Sequence, residues 1–157
     1  MNAYTLAHVL LSLVAILSGL VVLRGLLAAR LLPRWTPLFV WTTVATTLTG
    51  FGFPFNGFTP AIGTGIVSSV VLVFLLIALH AKKLAGAWRK VYVITAIVSV
   101  YLNVFVLIVQ SFQKIAFFKA LAPTQSEPPF QIAQGAALVL MIVLAVLAVR
   151  KFRPIAA

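Results

Sequence analysis

The side chains best able to do chemistry in this chain recur at helical spacing between positions 92 and 114. They are Tyr92, Thr95, Ser99, Asn103, Gln110, Gln113 and Lys114. At about 100° per residue they fall within a sector of roughly 100° on one helix. The rest of that stretch is Val, Ile, Leu, Phe and Ala, with Tyr101 and Ser111 off the stripe. These groups are hydrogen-bonding rather than acid-base in character. A polar face along an apolar helix must look at other helices, water or a bound molecule, because an unsatisfied polar group in hydrocarbon costs several kcal/mol. Asn103 is the sharpest member, with an amide whose donors and acceptors all need partners.

A second polar face lies upstream. Thr42, Thr43, Thr46, Thr49 and Gly50 cluster on one side of their segment. Threonine can bond back to its own helix carbonyls, so this face serves packing as well as it serves a site. The chain's one acidic residue, Glu127, sits in Ala120-Leu-Ala-Pro-Thr-Gln-Ser-Glu-Pro-Pro129. Gln110, Gln113, Lys114 and Glu127 form a candidate polar mouth over the stripe. The alternative is an ordered connector in which Glu127 pairs with Lys114 or Lys119. The run Gly50-Phe-Gly-Phe-Pro-Phe-Asn-Gly-Phe58 reads as a helix stop anchored by aromatic rings. Its other reading is a pocket wall, with Phe53 and Phe55 against a quinone or lipid.

Histidine could hold haem or a metal. His8 and His80 lie near opposite ends of their segments, however, some 25 Å apart in depth at 1.5 Å per residue. One metal cannot bridge them within a monomer, so no cofactor is predicted. The chain has no Cys and no Asp, and it has no HExxH, nucleophile elbow or Walker loop. One carboxylate cannot make an acid/base pair. The expectation is therefore a protein that is not an enzyme.

The elements carrying these residues follow from composition. Of 157 residues, 63% are hydrophobic and 8% charged, too few charges to cover a water-facing surface. A mean hydropathy of +1.18 excludes disorder equally firmly. Five apolar runs, at about 4–27, 37–53, 61–81, 88–112 and 130–149, approach the ~20 residues that a bilayer-spanning helix needs. They do not alternate as barrel strands would. The second run is the shortest and most polar, and charge decides it. Arg24, Arg30 and Arg34, then Lys82, Lys83, Arg89 and Lys90, then Arg150, Lys151 and Arg153 form three clusters between or after runs. With five crossings all three share one face, leaving only Lys114 and Lys119 opposite. The positive-inside rule then predicts an all-α bundle of five membrane helices, N-terminus outside and C-terminus cytoplasmic. Trp35, Trp41 and Trp88 mark the inner belt. Tyr4, Phe51, Phe53, Phe55 and Phe58 mark the outer one.

The net charge of +11 fits this arrangement better than nucleic acid, because the cations sit in clusters that meet anionic headgroups. The first run lacks a basic segment before it and reads as a retained helix, not a signal peptide. Ala15 and Gly19, Gly65 and Ser69, and Gly135 are small enough to let helices touch, within one chain or between copies.

The stretches Leu84-Ala-Gly-Ala-Trp88-Arg, Tyr101-Leu-Asn103-Val-Phe105-Val, Gln110-Ser-Phe-Gln113-Lys114 and Leu121-Ala-Pro-Thr-Gln-Ser-Glu127-Pro-Pro-Phe130, with Thr49-Gly-Phe-Gly-Phe-Pro-Phe55, resemble a family of small bacterial inner-membrane proteins. The resemblance covers most of the chain and implies bacterial origin and a cytoplasmic-membrane address. No activity is assigned to that family, so the resemblance lends no catalytic residues. The leading expectation is a protein that binds a partner subunit, a lipid or an apolar small molecule near its outer face. Asn103, Gln110, Gln113, Lys114, Glu127, Phe53 and Phe55 would form the site. The alternatives are a small channel or carrier for a neutral solute along the polar faces of Thr42, Thr46, Thr49, Thr95 and Ser99, and a redox subunit holding haem or quinone.

Overall fold

The computed structural model describes residues 2–54, 57 and 59–153. It is all-helical, with no strand among the described residues. Its helices are α1 (Ala3–Leu27), α2 (Trp35–Gly50), α3 (Pro60–Leu76), α4 (Trp88–Lys114), α5 (Ala116–Leu121) and α6 (Pro128–Lys151). A π-helical turn, Ile77–Ala81, extends α3. Four segments are long and apolar enough to cross a membrane: Ala3–Leu27, Ala61–Ala81, Trp88–Lys114 and Pro128–Lys151. The protein is thus a multi-pass membrane protein by length and composition.

Local chemistry sets the helix ends. Asn2 caps α1 by accepting from the Thr5 backbone N–H at 2.8 Å. Thr59 caps α3 by accepting from Ile62 N–H at 3.3 Å, with Pro60 in the first turn, where its missing N–H costs nothing. Glu127 precedes α6, whose first two residues are Pro128 and Pro129.

Helix α2 differs most from the sequence expectation. It starts at Trp35 and stops at Gly50, 16 residues in all. That length spans about 24 Å, short of a ~30 Å hydrocarbon core. The aromatic segment expected to finish it turns out at Phe51 and Gly52 instead. Even so, α2 reverses the chain. Near its end Thr49 meets Tyr4 and His8 from the start of α1, and Phe51 meets Gly65 near the start of α3.

Helices α1, α2, α3 and α4 contact their neighbours in cyclic order, which places α2 and α4 on one diagonal. Helix α6 lies outside this ring against α4 and α1. The shared core includes Val22, Leu26, Phe39, Leu75, Tyr92, Ile97 and Val100. Closest approach falls at Gly19, where a Cβ would stand 2.7 Å from Val100 Cγ2 and 2.8 Å from Phe39 Cε2. Only glycine lets α1 approach both partners there. Gly135, by contrast, has open space around it.

The two ends of the bundle differ in charge. Arg24, Arg30, Arg34, Lys82, Lys83, Arg89, Lys90, Arg150, Lys151 and Arg153 gather at one end, called here the basic end. Arg89 ties it together by donating to the carbonyls of Phe152 and Val149 at the end of α6. Lys114, Lys119 and Glu127 lie at the opposite end.

Candidate functional site

The polar stripe of α4 divides by depth into three parts. At the basic end Tyr92 is fully buried, its ring 6.1 Å from that of Phe152. In the middle Thr95 donates to Val91 O at 2.7 Å and Ser99 to Thr95 O at 2.8 Å. These two hydroxyls are satisfied within their own helix. Asn103 is half-buried, and its Nδ2 is fully enclosed without a hydrogen-bond partner. At the far end Gln110, Gln113 and Lys114 are exposed.

The threonine face of α2 is mixed in the same way. Thr42 donates to Leu38 O at 2.6 Å and Thr49 to Ala45 O at 2.7 Å. Thr36, which the sequence does not single out, is buried with its hydroxyl against that of Tyr92, whereas Thr43 and Thr46 are buried with unpartnered Oγ1 atoms. Each such hydroxyl costs about 1–3 kcal/mol if it stays without a partner.

Beyond α4 the chain is held tightly. Ile115 breaks the helix in extended conformation and α5 follows at once. Phe112 is buried among rings, 5.3 Å from both Phe118 and Phe130, so α5 and the start of α6 are pinned to α4. Gln125, at φ 61°, donates to Val109 O at 3.0 Å and accepts from Gln113 Nε2 at 3.3 Å. Gln134 donates to Phe105 O at 3.2 Å, and Gln131 donates to Ser126 O at 2.8 Å.

Glu127 is turned inward on this loop. Its Oε1 accepts from the Thr124 N–H at 3.1 Å and hydroxyl at 2.9 Å, and its Oε2 accepts from the Ser126 N–H at 3.1 Å. Desolvation, the largest single influence, pushes its carboxyl up. The hydrogen bonds from its own backbone, Thr124 and Ser126 together outweigh this and hold it below the ordinary range. Among the described residues no ion pair joins it to Lys114 or Lys119, so its charge organises the loop.

The predicted site residues therefore fall into two groups. Gln113 and Glu127 are joined through the Gln125 loop, with Gln110 and Lys114 exposed beside them. Phe53 belongs elsewhere, packing edge-on to Tyr4 and His8 with ring centroids 5.1 Å away in each case. Among the described residues no hydrogen bond or ring contact links Phe53 to Asn103 or Glu127. Phe55 lies outside the described residues.

The cluster around Phe53 is one that sequence reasoning did not assemble. Tyr4 donates to Thr49 O at 2.5 Å, and His8 Nδ1 is 2.8 Å from Thr49 Oγ1. Thr49 Oγ1 is thus within bonding distance of both Ala45 O and His8 Nδ1, and it can accept from the ring while donating to the carbonyl. Gly52 closes the cluster, since a Cβ there would meet the Tyr4 hydroxyl. His80 is exposed at the basic end, remote from His8. Among the described residues no three His or Glu side chains come together as a metal site would require.

No family model, curated protein or solved structure matches the chain.

Proposed function

We propose that this is a non-enzymatic inner-membrane protein of a bacterium that binds an anionic amphipathic lipid at its outer face. Its chain would cross the membrane five times, with the N-terminus outside and the C-terminus in the cytoplasm. The observation that carries the binding reading is α5. Phe117, 68% exposed, and Ile115, 48%, lie between Lys114 and Lys119, the two Lys or Arg side chains among the described residues of that end, with Leu121, 44%, just beyond. Stacking on Phe112 and the Gln125 bonds hold these groups in place before any ligand arrives. Pre-organised apolar surface beside two exposed cations suits an acyl chain topped by an anionic headgroup. Gln110 and Gln113 supply amide donors at the same level.

Two features support the five-crossing arrangement. Helix α2 reverses the chain between α1 and α3, and all three basic clusters gather at one end, which the positive-inside rule assigns to the cytoplasm. Local thinning of the bilayer around α2 accommodates its length.

Native mass spectrometry of the detergent-solubilised protein with phosphatidylglycerol and phosphatidylcholine tests the binding reading. At about 1 kcal/mol per cation, the K114Q/K119Q pair should lose about 30-fold in preference for the anionic lipid. Phe117→Ala should weaken retention of both lipids. Equal retention of the two lipids by the unaltered protein would refute the reading, and a co-purifying subunit seated on α5 would replace it with a protein partner.

A further inference from the structure

Tyr101 lies off the polar stripe, on the side of α4 that meets α3 and α6. It is the central residue of α4, about 20 Å from either end of that helix. It is half-buried, and among the described residues no hydrogen bond reaches its hydroxyl. Thr95, Ser99 and Ser111 bond back to their own helix, which a phenol on its long ring cannot do. Long helical side chains lean toward the helix N-terminus, here the basic end, so the ring points away from the outer headgroups. Water is absent at that depth, and an unsatisfied hydroxyl there is costly. Room lies directly beside it. A cleft of about 300 Å³ opens between α3 and α4, with Gly63, Thr64 and Val67 on one wall and Tyr101, Leu102 and Phe105 on the other. Gly63 has no side chain to fill it. The rings of Tyr101 and Phe105 stand 6.1 Å apart along the second wall. A narrower groove of about 90 Å³, wholly apolar, runs past the other side of Tyr101 between α4 and α6.

The occupant of this cleft has to bring a hydrogen-bond acceptor to hydrocarbon depth. A phospholipid does not, because its ester carbonyls stay at the edge of the ~30 Å core and its acyl chains carry no acceptor. A flat ring bearing ketone oxygens on a long apolar tail does. Its oxygen can accept from a phenol, its ring can pack on aromatic side chains, and its tail is at home among apolar helices. One donor in an otherwise apolar cleft of this size is also the usual make-up of a small-molecule site. We propose that the α3/α4 cleft binds a membrane quinone. A ring carbonyl accepts from the Tyr101 hydroxyl, the ring packs on Phe105, and the tail follows the groove beside α6. This site uses none of the α5 residues and does not depend on lipid binding there.

Isothermal titration of the detergent-solubilised protein with a decyl-substituted benzoquinone tests this, with decylbenzene as a control that lacks the carbonyls. We expect saturable binding of the quinone and weaker binding of decylbenzene. Tyr101→Phe should weaken the quinone about fivefold, the usual worth of one hydrogen bond, and leave decylbenzene unchanged. That variant loses no hydrogen bond within the protein, so its unfolding temperature should match the parent's. Val67→Trp places a bulky ring in the cleft from a position 50% exposed and should abolish binding of both probes. K114Q/K119Q should leave quinone binding unchanged, which separates this site from the lipid site at α5. Absence of saturable quinone binding by the folded parent overturns the proposal. Equal affinity for the two probes also overturns it, because the cleft would then be a plain acyl groove. So does an unchanged quinone affinity in Tyr101→Phe.

Discussion

Gly19 offers a sharp test of how the bundle is packed. A methyl group there would sit 2.7 Å from Val100 Cγ2 and 2.8 and 3.0 Å from two atoms of the Phe39 ring. Carbon contacts are comfortable at about 3.5–4.0 Å, so something must move by close to 1 Å. Neither neighbour can give way easily, since Phe39 is 0% and Val100 1% exposed. Overpacking of that kind costs about 1–3 kcal/mol. Replacing glycine by alanine within a helix returns about 0.5–1 kcal/mol. Gly19→Ala should therefore lose about 1–2 kcal/mol net. Gly135→Ala, with nothing within 4 Å of its Cβ, keeps only the gain. The two variants should differ by about 2 kcal/mol in opposite directions from the parent. Thermal unfolding in detergent, followed by tryptophan fluorescence, reads this directly. If Gly19→Ala is as stable as Gly135→Ala, α1 does not approach α2 and α4 as closely as described.

Arg89→Gln removes the guanidinium that holds the Phe152 and Val149 carbonyls at the end of α6. It should destabilise the protein by about 1–2 kcal/mol in the same unfolding assay, through lost charge-assisted bonds at a helix C-terminus. Glu127 has a folded-state pKa below its ordinary 4.5, so its hold on the loop is complete above that value and is lost as pH falls through the depressed one. Amide exchange at Thr124 and Ser126, measured against Glu127→Gln, should be slower near neutrality, and the difference should vanish in acid; a difference that persists at pH 2 would contradict the hydrogen-bonded carboxylate.

How much of this was legible in the sequence depends on what each feature rests on. The long helices follow from uninterrupted apolar length, a property of the chain alone, and α1, α3, α4 and α6 lie close to their predicted spans. Helix α2 lies two to three residues upstream of its predicted span, starting at Trp35 and ending at Gly50, before Pro54 can act as the stop. Helix α5 was read as part of a connector, since six residues between Ile115 and Ala122 show too little periodicity to declare a helix. The polar faces were visible as spacing, but spacing alone did not show that Thr42, Thr49, Thr95 and Ser99 bond back to their own helix carbonyls. Partners across the chain were not visible. That Tyr4 and His8 meet Thr49, or that Gln125 reaches Val109, depends on how helices pack and loops fold back. Thr36 escaped notice for the same reason, because its place against Tyr92 appears only once the helices are packed.

The sidedness of the chain underlies the proposed lipid site, and it can be measured cleanly because the protein has no cysteine of its own. Single cysteines in place of Arg30, Lys83, Gln125 and Lys151 in spheroplasts would be probed with a membrane-impermeant maleimide. Labelling of Gln125→Cys alone, with the other three reacting only after lysis, is the expected result. Arg30→Cys and Lys83→Cys labelling from opposite sides would show that α2 does not cross, and the outer-face assignment would fall with it.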